Sequence, residues 1–308
     1  MADPVMTNPQ LIYSTRNVKD CIIGFFSIQF LLENASSLAS SSNPTKVIGF
    51  ETEDCLEIIG SCNGLLCLLD ILFNFVQLWN PCMGLKFEWL EIEPRGVCVM
   101  HYGFGYDHMH DKYKLLLFVQ KRPSKPKIHE VLTFGANNSW STLPDFPFIH
   151  ERCKGEFVSD TLNWLHKEFG SDNSRAIVFF DLGRKAFGNL SLPFMNDENE
   201  CEPVMHVARE CLCVCIDHQK SHFDVWMTKK YRVKESWTRL IVISHVALTR
   251  YEPKYPLDFC TSMRMISSNG MTKFPMSERA APRGSHVYHE SLVSSSHLDL
   301  ETGVFVWD

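Results

Sequence analysis

The sequence predicts an all-β fold, a kelch-like β-propeller, complete or incomplete, with antiparallel blades of ~50 residues each. Three observations carry that prediction. Glycine, proline and asparagine punctuate the chain at short intervals, and the segments between them are rich in Val, Ile, Phe, Trp and Leu, as short strands require. No stretch sustains the apolar period of a long helix. A unit of strands recurs, and its last strand carries an aromatic at Trp89, Trp140, Phe187 and Trp237, spaced 51, 47 and 50 residues apart.

The first unit runs Leu65–Leu69, Val76–Trp79, the turn Asn80-Pro81, then Phe87–Ile92. The second runs Tyr102–Tyr106, Asp107–Asp111, Tyr113–Val119, Ile128–Phe134, the turn Asn137-Asn138, then Trp140–Leu143. The third runs Glu156–Leu165, Ala176–Asp181, the turn Gly183–Lys185, then Phe187–Leu192, and the fourth Glu210–Ile216, His222–Met227, the turn Lys229–Val233, then Ser236–Ile243. Lys46–Phe50 and Leu56–Ile59 are further strand material, while Tyr251–Pro256 and Ala280–Ser285 read as loops. One small antiparallel sheet cannot bury both faces alone, whereas sheets stacked radially bury each other. A β-sandwich with coincidental spacing is the competing architecture.

At 308 residues, 45% hydrophobic and 12% aromatic, the chain is large enough for a substantial core. A net charge of −6 argues against nucleic-acid or membrane-surface binding, and the basic runs Lys121–Lys127 and Lys229–Lys234 read as solvated loops. The apolar run Cys21–Leu32 is too short to span a bilayer and starts late for a signal peptide. The sequons at Asn34, Asn137 and Asn189 are then unused, and the twelve cysteines read as buried free thiols of a reducing, cytoplasmic or nuclear compartment.

Catalytic motifs are scarce: the chain has no phosphate loop, no Gly-x-Ser-x-Gly elbow and no His-Glu-x-x-His, and no enzyme activity and no cofactor are expected. Gly103-x-Gly105 before Asp107 lacks a following helix, so its glycines read as strand and turn features. Cys211, Cys213, Cys215, His218 and His222 have the residue types zinc prefers, but alternate strand positions set sulfurs ~7 Å apart, too wide for one tetrahedral ion. No metal is expected there, and the cysteines read as small residues packed between blades. Cys62 and Cys153 are the thiols to test for reactivity, with ordinary packing the simpler role. His101, His108, His110, His218 and His222 are expected mostly in turns or at the surface, and the repeat tryptophans in blade packing. The loop Asp145–Cys153 offers Phe146, Phe148, His150 and Arg152, residue types enriched at interface hot spots, as candidate partner contacts; plugging a gap between blades is the other role for its phenylalanines.

Ordered segments then bring in a resemblance. IIGSCNGLLCL at Ile58–Leu68, LWNP at Leu78–Pro81, YGFGYD at Tyr102–Asp107, DKYKLL at Asp111–Leu116, NNSWSTL at Asn137–Leu143, FVSDTLNWL at Phe157–Leu165, VWMTKKY…ESW from Val225 to Trp237 and HVYHESLVS at His286–Ser294 resemble the F-box-associated domain of plant F-box proteins. The resemblance implies a propeller that presents loops to a target protein, joined to an F-box that docks on the Skp-type adaptor of an SCF ubiquitin ligase. Residues 1–50 show no F-box pattern, and Asn8–Ser14 looks like the segment that ordinarily follows one. The expected organisation is an N-terminal strand segment with a Ser-rich loop over 1–50, the propeller-like domain over 51–296 and a tail over 297–308 whose Val304–Trp307 could pair with an N-terminal strand. Three functions follow: the substrate-recognition module of a ligase, a stand-alone propeller that binds a partner without ubiquitin transfer, or a small-molecule or glycan-binding propeller with convergent polar groups at its central channel.

Overall fold

The computed structural model describes residues 10–16, 21–27, 46–50, 56–70, 75–87, 90–92, 98–120, 127–135, 137–143, 153–167, 175–192, 203–208, 210–218, 222–244 and 282–288. Within them the chain is built of strands, with one 3-10 turn at Lys234–Ser236. They form five sheets, four of them built on a four-strand antiparallel meander and one on a three-strand meander completed by a strand from the far end of the chain.

The second sheet holds β4 (Leu56–Cys62), β5 (Leu65–Asp70), β6 (Phe75–Asn80) and β7 (Leu85–Lys86), with β8 (Leu90–Glu91) also pairing β6. The third holds β9 (Cys98–Asp107), β10 (Lys112–Gln120), β11 (Lys127–Thr133) and β12 (Ser139–Thr142), and β13 (Cys153–Lys154) adds to β9 in parallel. The fourth comprises β14 (Glu156–Val158), β15 (Thr161–Lys167), β16 (Arg175–Asp181) and β17 (Ala186–Ser191); the fifth, β18 (Val204–Ala208), β19 (Cys211–His218), β20 (His222–Thr228) and β21 (Trp237–Ser244).

The first sheet joins the two ends of the described chain. β1 (Gln10–Arg16), β2 (Cys21–Ser27) and β3 (Lys46–Phe50) form a meander, and β22 (Pro282–Tyr288) pairs with β1 from Gln10↔Tyr288 onward. Pro282–Ser285, expected as loop, is therefore strand, and β22 is the closing partner of β1. The tail residues Val304–Trp307 lie outside the described residues.

Why the central strands read as continuous apolar runs is visible in the core. β5 is buried on every residue because a blade is covered on both faces. Its Leu66 and Leu68 join Ile12, Ile23, Leu56, Ile58 and Trp79 toward the first sheet. Leu65, Cys67 and Leu69 join Phe104, Tyr113 and Leu115 toward the third. The same alternation carries Leu116 and Phe118 into a core with Trp164 and Phe180, and Val158 and Ile177 into one with Val214 and Trp237. Four interfaces thus link five sheets in ring order, each fully buried aliphatic side chain contributing about 1.5–3 kcal/mol.

The glycines of Tyr102–Asp107 have a packing role beyond the strand and turn one expected. Tyr102 and Phe104 face the second sheet, so Gly103 and Gly105 face the fourth. A Cβ on Gly103 would lie 2.9 Å from Leu162 Cδ2, and one on Gly105 would overlap the Phe157 ring. Gly105→Ala is expected to destabilise by about 1–3 kcal/mol through overpacking, read as a lower urea midpoint with an unchanged slope.

The aromatics that marked the repeat differ in role. Trp237 is 7% exposed and belongs to the core, whereas Trp140, expected in blade packing, is 37% exposed on β12, the outermost strand of its sheet. Trp89 lies outside the described residues.

Candidate recognition face

In a meander, successive turns alternate between the two ends of the blade. The connections from the first to second and from the third to fourth strands therefore share one end of the propeller, and several of those among the described residues are short turns. Left-handed backbone at Asn63 (φ 49°), Asp111 (56°), Ser159 (48°), Asp160 (61°), Lys185 (52°) and Arg232 (62°) makes them possible, with Gly64 at 78° and Gly84 at 68°.

Short acceptor side chains close several of these turns on their own backbone. Asn80 Oδ1 accepts from the amides of Cys82 (3.0 Å) and Met83 (3.2 Å), Asp107 Oδ1 from those of Met109 (3.0 Å) and His110 (3.2 Å), and Asp181 Oδ1 from that of Arg184 (2.9 Å).

The second carboxylate oxygen then ties one blade to the next. Lys114 Nζ donates to Asp107 Oδ2 at 2.5 Å and to the Leu182 carbonyl of the fourth sheet at 2.8 Å, with both charged side chains buried. His108 meets Asp160 across the same interface. One interface further on, Arg232 donates to Asp181 Oδ2 at 3.2 Å and lies 4.0 Å from the Phe179 ring centroid, while Tyr231 donates to Asn163 Oδ1 at 2.7 Å and bonds Thr161. Burial pushes the Tyr231 phenol up. For Asp107 and Asp181 burial also acts upward, but the hydrogen bonds and cationic neighbours outweigh it and hold both carboxyls below the ordinary range. The consequence is a stiff end surface, from which Met83 (39% exposed) and Met109 (64%) project beside exposed His108, His110, Arg184 and Lys185. Methionine adapts its shape to a partner, and a rigid base lowers the cost of ordering such contacts.

Near the axis, polar pairs join the innermost strands. Tyr102 bonds Glu57 between the second and third sheets, while Lys154 Nζ and His206 Nδ1 lie 3.4 Å and 3.7 Å from Glu156 Oε1.

The structure places the residues singled out from sequence as follows. Phe146, Phe148, His150 and Arg152 lie outside the described residues, between β12 and β13. Cys62 is buried in the core, and desolvation raises its thiol far above the ordinary value, the reverse of an activated nucleophile. Cys153 pairs with His101 in the parallel β13–β9 ladder. Cys213 and Cys215 are buried thiols outside any disulfide, opposite in side-chain direction to Leu212, Val214 and Ile216. His108 and His110 are exposed in a turn as expected, whereas His101 is buried edge-on to Phe118. His218 and His222 face each other across β19 and β20, together with Asp224, which period-two alternation puts on their side of the sheet.

Comparison with known proteins agrees with this architecture. Residues 17–274 match the family model of the F-box associated beta propeller domain. Among curated relatives, an F-box/kelch-repeat protein of Arabidopsis thaliana is 27% identical over 87% of this chain and 76% of its own length. The Arabidopsis F-box protein CPR1 is 29% identical over 69% of this chain and 57% of its own, and another Arabidopsis F-box protein is 28% identical over 59% and 49%. The chain thus spans between about half and three quarters of the relatives it matches. With most of its length inside that match and five meander sheets in ring order, the chain belongs to the F-box associated beta propeller domain family.

Proposed function

We propose that the chain is a protein-recognition module that holds a target for an SCF-type ubiquitin ligase and catalyses nothing itself. The observation that carries the reading is the family match across residues 17–274, and the interlocked turn end with Met83 and Met109 supplies a surface suited to a protein partner. Buried Cys62, Cys67, Cys213 and Cys215, none of them in a disulfide, support a cytoplasmic or nuclear site of action. Contact with the Skp-type adaptor belongs to an F-box, not to the propeller.

A pull-down tests both halves. The folded, monodisperse chain is expected to retain a target from a plant-cell lysate, to lose it in the Met83→Glu/Met109→Glu variant, and to capture no Skp-type adaptor while an F-box-bearing relative does. Adaptor capture by this chain would put a docking surface on the propeller itself. A retained target indifferent to both substitutions would move recognition away from the turn end.

A further inference from the structure

The geometry points to a divalent transition-metal site, of the zinc class, at the far end of the fifth sheet, formed by His218, His222 and Asp224. His218 ends β19, His222 begins β20, and the two are register partners. Their rings stack with centroids 4.5 Å apart and planes 20° apart. Asp224 follows two residues later, so the strand's alternation brings its carboxylate to the same face. His218 Nε2 lies 3.4 Å from Asp224 Oδ2 and His222 Nε2 3.6 Å from Asp224 Oδ1. One ligand atom from each residue falls within 4.8 Å of the other two.

The two histidine-to-aspartate separations are long for hydrogen bonds and match the ligand spacing of a shared ion, and a turn of the stacked rings would bring both in-plane nitrogen lone pairs onto it. Nitrogen and oxygen ligands at about 2.0–2.2 Å from a tetrahedral zinc sit roughly 3.3–3.6 Å from one another. The residue types agree, since two imidazoles and a carboxylate suit zinc, cobalt, nickel or copper and leave a position for water or a partner's side chain. Asp224 is 5% exposed, which fixes the anionic ligand, while the histidines at the hairpin end are half-buried and reachable by an ion. Cys211, Cys213 and Cys215 stand on the opposite face of the same sheet, so this is a nitrogen and oxygen site distinct from any thiolate cluster. Arg239 Nη1, 3.5 Å from Asp224 Oδ2 on a side chain 54% exposed, is the competing cation. It neutralises the carboxylate without metal and can swing to solvent when an ion enters.

The test is titration of the full chain with Zn(II) by calorimetry and with Co(II) by visible absorption, in buffer free of chelator. One Zn(II) per chain is expected, with Co(II) d–d bands and no thiolate-to-cobalt charge transfer from this site. Loss of an outer-sphere partner costs a metal site about 10–100-fold, so Asp224→Asn and His222→Ala should each weaken binding at least about 100-fold. Arg239→Gln should tighten it and His108→Ala should leave it unchanged. Binding should fade as pH falls, because ligating imidazoles must be neutral. Zn(II) uptake and a Co(II) spectrum unaltered in folded His222→Ala and Asp224→Asn would overturn the site, as would a folded wild-type chain that takes up no Zn(II). Should Asp224→Asn fail to fold, the His222→Ala comparison and the wild-type Co(II) spectrum decide. Neither outcome depends on the target or the adaptor, so the metal site and the ligase reading fail independently.

Discussion

Lys114→Met is expected to destabilise the propeller by about 3–5 kcal/mol, the usual consequence of removing one partner from a buried ion pair. Lys114 is 3% exposed and Asp107 fully buried, so methionine would preserve the aliphatic packing and leave the carboxylate without its buried cation, with the exposed His110 ring at 2.7 Å and the turn amides as its remaining partners. The Leu182 carbonyl would lose its donor in the same step, loosening the turn that the fourth sheet lays against the third. Urea unfolding of Lys114→Met, Asp107→Asn and the double variant checks this: the double variant should recover part of the loss, and strictly additive effects would show that the pair is not coupled. A pH dependence follows. The net depression of the Asp107 carboxyl means that its contribution is present above the unfolded value near 4 and is lost as pH falls through the folded value. Without Lys114 the carboxyl keeps only its His110 and amide partners against the upward pull of burial, protonation costs the folded state less, and the stability gap between wild type and Lys114→Met should narrow below about pH 4.

Phe104→Ala is the second large effect, about 3–5 kcal/mol for an aromatic truncated in a core. Phe104 is 1% exposed, lies parallel to Tyr113 with centroids 5.7 Å apart and meets the Phe134 ring edge-on at 6.2 Å. It also presses on the second sheet so closely that a Cβ on Gly60 would come within 2.9 Å of its own Cβ. The neighbours are strands tied into two ladders and cannot collapse into the space, which places the expected cost at the upper end of that range. Thermal unfolding should show a lowered midpoint, and one within a degree of wild type would mean that the two sheets can close the gap.

Much of this architecture was legible in the residues because a blade's turns leave local marks. Residue type alone marks turns at Asn80-Pro81, Gly183–Lys185 and Lys229–Val233, and the structure has turns there. Of the innermost strands, β4 and β9 are legible at Leu56–Ile59 and Tyr102–Tyr106, whereas β14, β18 and β22 are not. Glu156–Leu165 reads as one apolar segment, yet Ser159 and Asp160 take left-handed backbone and split it into β14 and β15, a choice no propensity favours for serine. Val204–Ala208 and Pro282–Tyr288 are short, and their partners hold them in the sheet more than their own composition does. Trp140 misled for the opposite reason, since a large aromatic in the right register still sits outside the core when its strand is a blade's outer edge. The recognition end was not legible because Lys114 and Leu182, or Arg232 and Asp181, are neighbours only once sheets stack. His218 and His222 stand out by residue type, whereas Asp224 joins them only once β19 and β20 pair in register.

The pairing of β1 with β22 sets a schedule for biosynthesis. Gln10 and Tyr288 are register partners 278 residues apart. At about 5–20 residues per second, the N-terminal strand waits roughly 14–56 s for the strand that covers its edge. During that interval the nascent chain can stack the second to fifth sheets in order as each emerges, while β1 carries an open ladder of amides and carbonyls. Chaperone engagement should therefore be longest on ribosome-bound chains arrested before residue 282, and a stop codon placed there should yield a protein that is degraded or aggregates even though four of its five sheets are encoded intact.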